Sequence, residues 1–171
     1  SYSEDEGYLY QLAVLYETTG DWVSAEVTIK KILESNPKHA HALNFIGYSY
    51  LVRGEDLKSA EKYIMQAIKH APEDGQIRDS VGWLFFKLGK FKKAVVELEK
   101  AVTILGKSHL EVTEHLGKAY LKVSKKKKAI ELYKKALSES TKENDRNRLK
   151  MWIDGLERGI ASEEEPATSK K

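Results

Sequence analysis

Asn44-Phe45-Ile46-Gly47-Tyr48-Ser49-Tyr50 returns as Asp79-Ser80-Val81-Gly82-Trp83-Leu84-Phe85 and again as Glu114-His115-Leu116-Gly117-Lys118-Ala119-Tyr120, each copy 35 residues after the last. A fixed period of this length marks a repeat array and decides the fold before any single motif does. An earlier copy carries Ala13 and Tyr16 in the places of the glycine and the last aromatic. Past the aromatic come Gly20, Gly54, Gly89 and, as the one departure, Ser124. Ala25, Ala60, Ala94 and Ala129 follow, each opening a second apolar stripe. The stripes run Ile29, Ile32, Leu33; Ile64, Ala67, Ile68; Leu98, Ala101, Val102; and Tyr133, Ala136, Leu137. Pro37 and Pro72 close the first two units.

Each unit reads as two helices. Leu9, Leu12, Ala13 and Tyr16 follow the i, i+3, i+4, i+7 spacing of one buried helical face, and Leu43, Ile46, Gly47 and Tyr50 repeat it. The glycine after the first helix suits a left-handed cap, and proline ends the second because it is excluded from a helix interior. Mid-helix Gly47 and Gly82 each cost about 1 kcal/mol in propensity, so their recurrence at one phase predicts close helix contact, here with Ala60 and Ala94.

This pattern resembles the tetratricopeptide repeat, a helix–turn–helix unit of roughly 34 residues. The resemblance covers about four-fifths of the chain. It implies an all-α solenoid of four repeats with a right-handed superhelical twist and a C-terminal capping helix. The expected organisation is an extension over 1–5, repeats over 6–39, 40–74, 75–109 and 110–143, a capping helix over 144–160 and a disordered tail over 161–171. Leu149, Trp152, Ile153, Leu156 and Ile160 form the cap's apolar stripe, as a terminal repeat needs to stay soluble. No comparable cap precedes Tyr8, Leu9 and Leu12, so the first helix is expected to meet earlier repeats or a second copy. The central stretches resemble a bacterial subset of the family, many of whose members are exported or envelope-associated.

The composition agrees with a soluble repeat array and removes several function classes. Of 171 residues, 41% are hydrophobic and 32% charged. There is no apolar run of the roughly 18 residues that a membrane helix requires. With no cysteine, disulfides, cysteine-ligated zinc and thiol catalysis are excluded. The opening Ser1-Tyr2-Ser3-Glu4-Asp5-Glu6 lacks the basic and apolar parts of a signal peptide. That fits a cytoplasmic protein, or an envelope protein whose targeting segment lies outside this sequence.

By resemblance, the first helix of each unit lines a concave groove in which partners lie. The groove-facing residues would be Gly7, Tyr10, Val14, Glu17 and Thr18; His41, Asn44, Tyr48, Leu51 and Val52; Gln76, Asp79, Trp83, Phe86 and Lys87; and Glu111, Glu114, Lys118, Leu121 and Lys122. The family's carboxylate clamp for chaperone tails needs lysine and asparagine at set groove positions. This chain has Tyr10, Val14, Phe45, Gln76 and Ser80 there, or Asn44, Tyr48, Ser80, Glu111 and His115 one unit on, and neither register supplies the clamp. The middle of the groove instead reads as apolar and aromatic, from Tyr48, Leu51, Trp83 and Phe86, with Asp79, Glu111 and Glu114 nearby and Lys87 and Lys118 on a rim. The expected function is a non-catalytic scaffold that holds a protein or peptide offering apolar and basic side chains. The alternative is a self-assembly module that pairs through its first helix.

Net charge is −5 over residues 1–86, +9 over 87–135 and −1 over the remainder. Lys125-Lys126-Lys127-Lys128 is the one strong run. Nucleic-acid binding rests on neutralising phosphates, but this run sits at a turn without interleaved aromatics and reads as a solvated turn, so no nucleic acid is expected. Glu111 and His115 share a helix face at i, i+4, yet two ligands do not make a metal site. No phosphate loop or nucleophile elbow is present, and no cofactor or metal is expected.

Overall fold

The computed structural model describes residues 4–107 and 109–159. Ile160 of the expected cap stripe, most of the 1–5 extension and the 161–171 tail therefore lie outside the described residues. Among those described, the chain forms nine helices and no strand. They are α1 (Glu4–Thr18), α2 (Trp22–Ser35), α3 (Ala40–Arg53), α4 (Leu57–His70), α5 (Gly75–Lys87), α6 (Phe91–Leu105), α7 (Leu110–Lys122), α8 (Lys126–Glu139) and α9 (Glu143–Arg158). Each packs mainly on its neighbours in the chain, with α3 on α5 and α5 on α7 as the next layer of contact. The result is an α-solenoid whose core is a line of linked clusters.

The turns explain the pairing. Gly20, Gly54 and Gly89 adopt φ of +80°, +69° and +71°, and Ser124 takes the same left-handed conformation at +60°. The reversal is thus made at all four turns, although the fourth lacks the residue that makes it without cost. After the first two turns, Asp21 accepts from the Ser24 amide, and Asp56 accepts from those of Lys58 and Ser59. Each caps the helix that follows. At the third and fourth turns Lys90 and Lys125 occupy the cap position and make no side-chain cap bond.

The mid-helix glycines do make close contacts with the following helix, and the nearest side chains there belong to larger residues. A Cβ on Gly47 would lie 2.7 Å from Ile64 Cγ1, one on Gly82 would lie 2.5 Å from Leu98 Cγ, and one on Gly117 would run into the Tyr133 phenol. Ile64 and Leu98 lie one turn beyond Ala60 and Ala94. The alanines, themselves fully buried, let the backbones approach, and the larger residue a turn later fills the notch at the glycine.

At the C-terminal end, α9 lays Leu149, Ile153 and Leu156 against α8. Arg146 Nη1 donates to the carbonyls of Leu137 and Ser140 at 2.8 and 3.0 Å, satisfying acceptors at the end of α8. The other end differs. Ala42, Ser49, Ile77, Leu84, Val112 and Ala119 are buried against the preceding helix pair, whereas Tyr8 and Leu15, in the same register on α1, are 68% and 58% exposed.

Candidate functional site

Helices α3, α5 and α7 and the first turns of α9 frame an open cavity of about 820 Å³. Tyr48, Val52, Trp83, Lys87, Glu111, Glu114, His115, Lys118, Asp145 and Arg148 are among its lining residues. Seven of the twenty residues expected to face the groove therefore meet there: Tyr48, Val52, Trp83, Lys87, Glu111, Glu114 and Lys118. Asp79 joins them through His115. Tyr10 does not; it packs on His39, His41 and Phe45 near the first turn of α3. Asn44, one turn before Tyr48, has a buried Oδ1 with no hydrogen-bond partner.

The expected apolar floor is corrected by burial. Leu51 is only 1% exposed and packs with Val81 and Leu84 in the core. Trp83, at 7% exposed, stacks on Phe86 and on His115, with ring centroids 4.6 and 4.1 Å apart. The ammonium groups of Lys87 and Lys118 lie 5.1 and 5.7 Å from its ring. These rings are walls, already satisfied by the molecule itself, and leave little area for a guest. The most exposed apolar residue lining the cavity is Val52, at 53%, which follows Tyr48 by one helical turn.

Charge organises the rest. His115 Nδ1 lies 2.9 Å from Asp79 Oδ1 and 3.1 Å from Oδ2, with both residues buried. Glu114 receives Lys118 and Arg148, each at 2.9 Å, so α9 closes that end of the groove. Tyr48 donates to Glu111 Oε1 at 2.6 Å. Burial above all, then the Glu111 carboxylate, pushes the Tyr48 phenol up, so it stays a neutral donor. Burial also raises the Glu17 carboxyl above its ordinary value; Arg53 opposes the shift and Glu111 adds to it. The centre of the groove is thus an acidic nest of Glu17, Asp79 and Glu111 around one phenol.

A raised carboxyl binds its proton more tightly folded than unfolded, so Glu17 weakens folding as pH rises from the ordinary glutamate value of 4.5 through its folded value. Glu17→Gln is expected to stabilise the protein at neutral pH. That gain should shrink as pH falls below the carboxylate range, read by chemical denaturation at several pH values. A gain that stays constant with pH would place its cause elsewhere.

The sequence reading missed His115 as a wall of the groove, and with it His109, Leu110, Lys142, Asp145 and Arg148. His115 sits one helical position beyond Glu114, outside the expected groove register. Asp145 and Arg148 belong to the capping helix, whose expected role is to cover the last repeat.

A family model described as Tetratricopeptide repeat matches residues 2–168. The chain belongs to the tetratricopeptide-repeat family. Its repeats are of the kind that serve as protein-interaction scaffolds, generally without catalysis. A Pseudomonas aeruginosa protein described as TPR repeat-containing protein PA4667 is 33% identical over 101 residues, covering 59% of this chain and 17% of that one. The chain thus aligns with less than a fifth of that relative's length. Among solved structures, one titled for Pseudomonas aeruginosa pilF superposes with a TM-score of 0.79 at 21% identity, covering 91% of this chain and 69% of that one. PilW, titled a type IV pilus biogenesis factor, gives 0.72 at 20% identity, covering 90% and 72%. Yeast Tom70 gives 0.73 at 17%, covering 91% and 34%. At these identities the likeness is one of fold.

Proposed function

We propose that this tetratricopeptide-repeat array is a scaffold whose α3–α5–α7 groove takes a segment of a protein partner offering an apolar side chain beside a basic one. The observation that carries the reading is the pairing of the exposed Val52 with Glu111, the member of the acidic nest that lines the same open cavity. An apolar side chain seated on Val52 and the Tyr48 ring would contribute roughly 1.5–3 kcal/mol. A lysine or arginine one or two residues away reaches Glu111 and Glu17, the second of which already feels the Arg53 guanidinium. The cationic rim of Lys87, Lys118 and Arg148 disfavours a basic segment that lies elsewhere in the groove. The repeats supply the shape, and the carboxylates supply the choice.

Photo-crosslinking tests this directly. With benzoylphenylalanine at Val52, one partner should crosslink in extracts of the source cell; with it at Met65, exposed on α4, none should. Equal capture from both positions, or capture from Met65 alone, moves the site off the groove.

A second reading has its own observation. Tyr8 and Leu15 are exposed at positions whose equivalents are buried in every later pair, so α1 offers a face on which a second copy can pack. Sedimentation over a concentration series should then show a dimer that Tyr8→Lys with Leu15→Lys dissolves. A monomer at all concentrations ends that reading.

A further inference from the structure

Glu111 and His115 supply two ligands from one face of α7, and the fold adds a third from another repeat. Asp79, on α5, brings a carboxylate oxygen so that one ligand atom from each of Asp79, Glu111 and His115 lies within 4.8 Å of the others. We propose that these three residues form a binding site for a divalent transition-metal ion, with zinc as its simplest occupant, at the centre of the groove. The proposal stands apart from the partner reading and does not require a partner.

The arrangement has the parts such a site needs. A tetrahedral ion with bonds of about 2.0–2.1 Å holds its ligand atoms roughly 3.3 Å apart, and His115 Nδ1 is already 2.9 Å from Asp79 Oδ1. An ion would take the place of the proton the two share, and that proton leaves to solvent. Closing the site asks only that the Glu111 carboxylate, which is exposed, swing inward. The surrounding residues fix the ligands: Trp83 lies flat on the His115 ring, and the Tyr48 hydroxyl orients Glu111, as hydrogen-bonding neighbours do around metal ligands. Three protein ligands leave one position of a tetrahedral ion open. An imidazole nitrogen with two carboxylates favours zinc, cobalt, nickel or copper over calcium and magnesium, which prefer oxygen alone.

Calorimetric titration of the chelator-stripped chain with zinc is expected to show one ion per chain, with calcium in tenfold excess failing to compete. Glu111→Gln, at an exposed position that leaves the core intact, should weaken binding at least tenfold. His115→Gln should abolish it, with helicity checked by circular dichroism. His39→Gln with His41→Gln, on another repeat, should leave it unchanged. Absence of saturable binding, full competition by calcium, or binding unmoved by Glu111→Gln and lost in the His39/His41 variant would overturn the assignment.

Discussion

Gly82→Ala is expected to lower the midpoint of thermal unfolding by roughly 4–8 °C, whereas the same change at Gly7 should raise it. Both glycines lie inside helices, α5 and α1, so each substitution gains about 0.5–1 kcal/mol in helix propensity. The difference is in what the new methyl meets. At Gly7 nothing lies within 4 Å. At Gly82 the methyl would sit 2.5 Å from Leu98 Cγ, 2.8 Å from Cδ2 and 3.3 Å from the Leu98 amide nitrogen. Leu98 is fully buried, so it cannot swing aside, and α5 must move off α6. Overpacking of this kind costs about 1–3 kcal/mol or somewhat more. A net loss near 2 kcal/mol corresponds to the stated shift for a chain of this size. Calorimetry of the two variants side by side decides the matter; equal shifts of the same sign would mean that the helix crossing is looser than the structure shows.

Charge reversal in the groove should have the second large effect. Once a partner segment has been mapped by crosslinking, Glu111→Lys combined with Val52→Asp is expected to weaken it roughly 100-fold, about 2.8 kcal/mol. Both positions are exposed, so helicity and melting should hardly change, and the loss reports on recognition. Fluorescence anisotropy in chelating buffer keeps any ion at Glu111 out of the comparison. Raising the salt concentration should weaken the wild type more than the variant, because the exposed carboxylate is screened. A change of less than threefold would show that the partner lies elsewhere.

The architecture was legible because stacking repeats its demands. Every pair needs a small residue at the crossing, a left-handed turn and an apolar stripe, so Gly47, Gly82 and Gly117 announce one geometry three times. Even Ser124, which departs in type, keeps the glycine backbone conformation, since the turn is imposed by the helices on either side. The groove was harder to read. Trp83 and Leu51 have the composition of a binding floor, yet Trp83 spends its surface on Phe86 and His115, and Leu51 faces the core. His115 and Asp79 are 36 residues apart, and no periodicity within one helix could announce their pairing. Arg148 reaches Glu114 from a helix that does not repeat the pattern at all. Position along a repeat set the backbone; the choice of side-chain partners between repeats required coordinates.

Lysine in place of aspartate at the later turns polarises the molecule along its length. Asp21 and Asp56 start two helices at one end, and Lys90 and Lys125 start two at the other. A polyanionic body diffusing nearby is therefore turned toward the α6–α8 end before any contact forms, and a polycation toward the α2–α4 end. The torque operates over a Debye length of about 10 Å at 0.1 M salt. Encounter rates with charged bodies should consequently fall with ionic strength, even where the final complex touches neither set of turns.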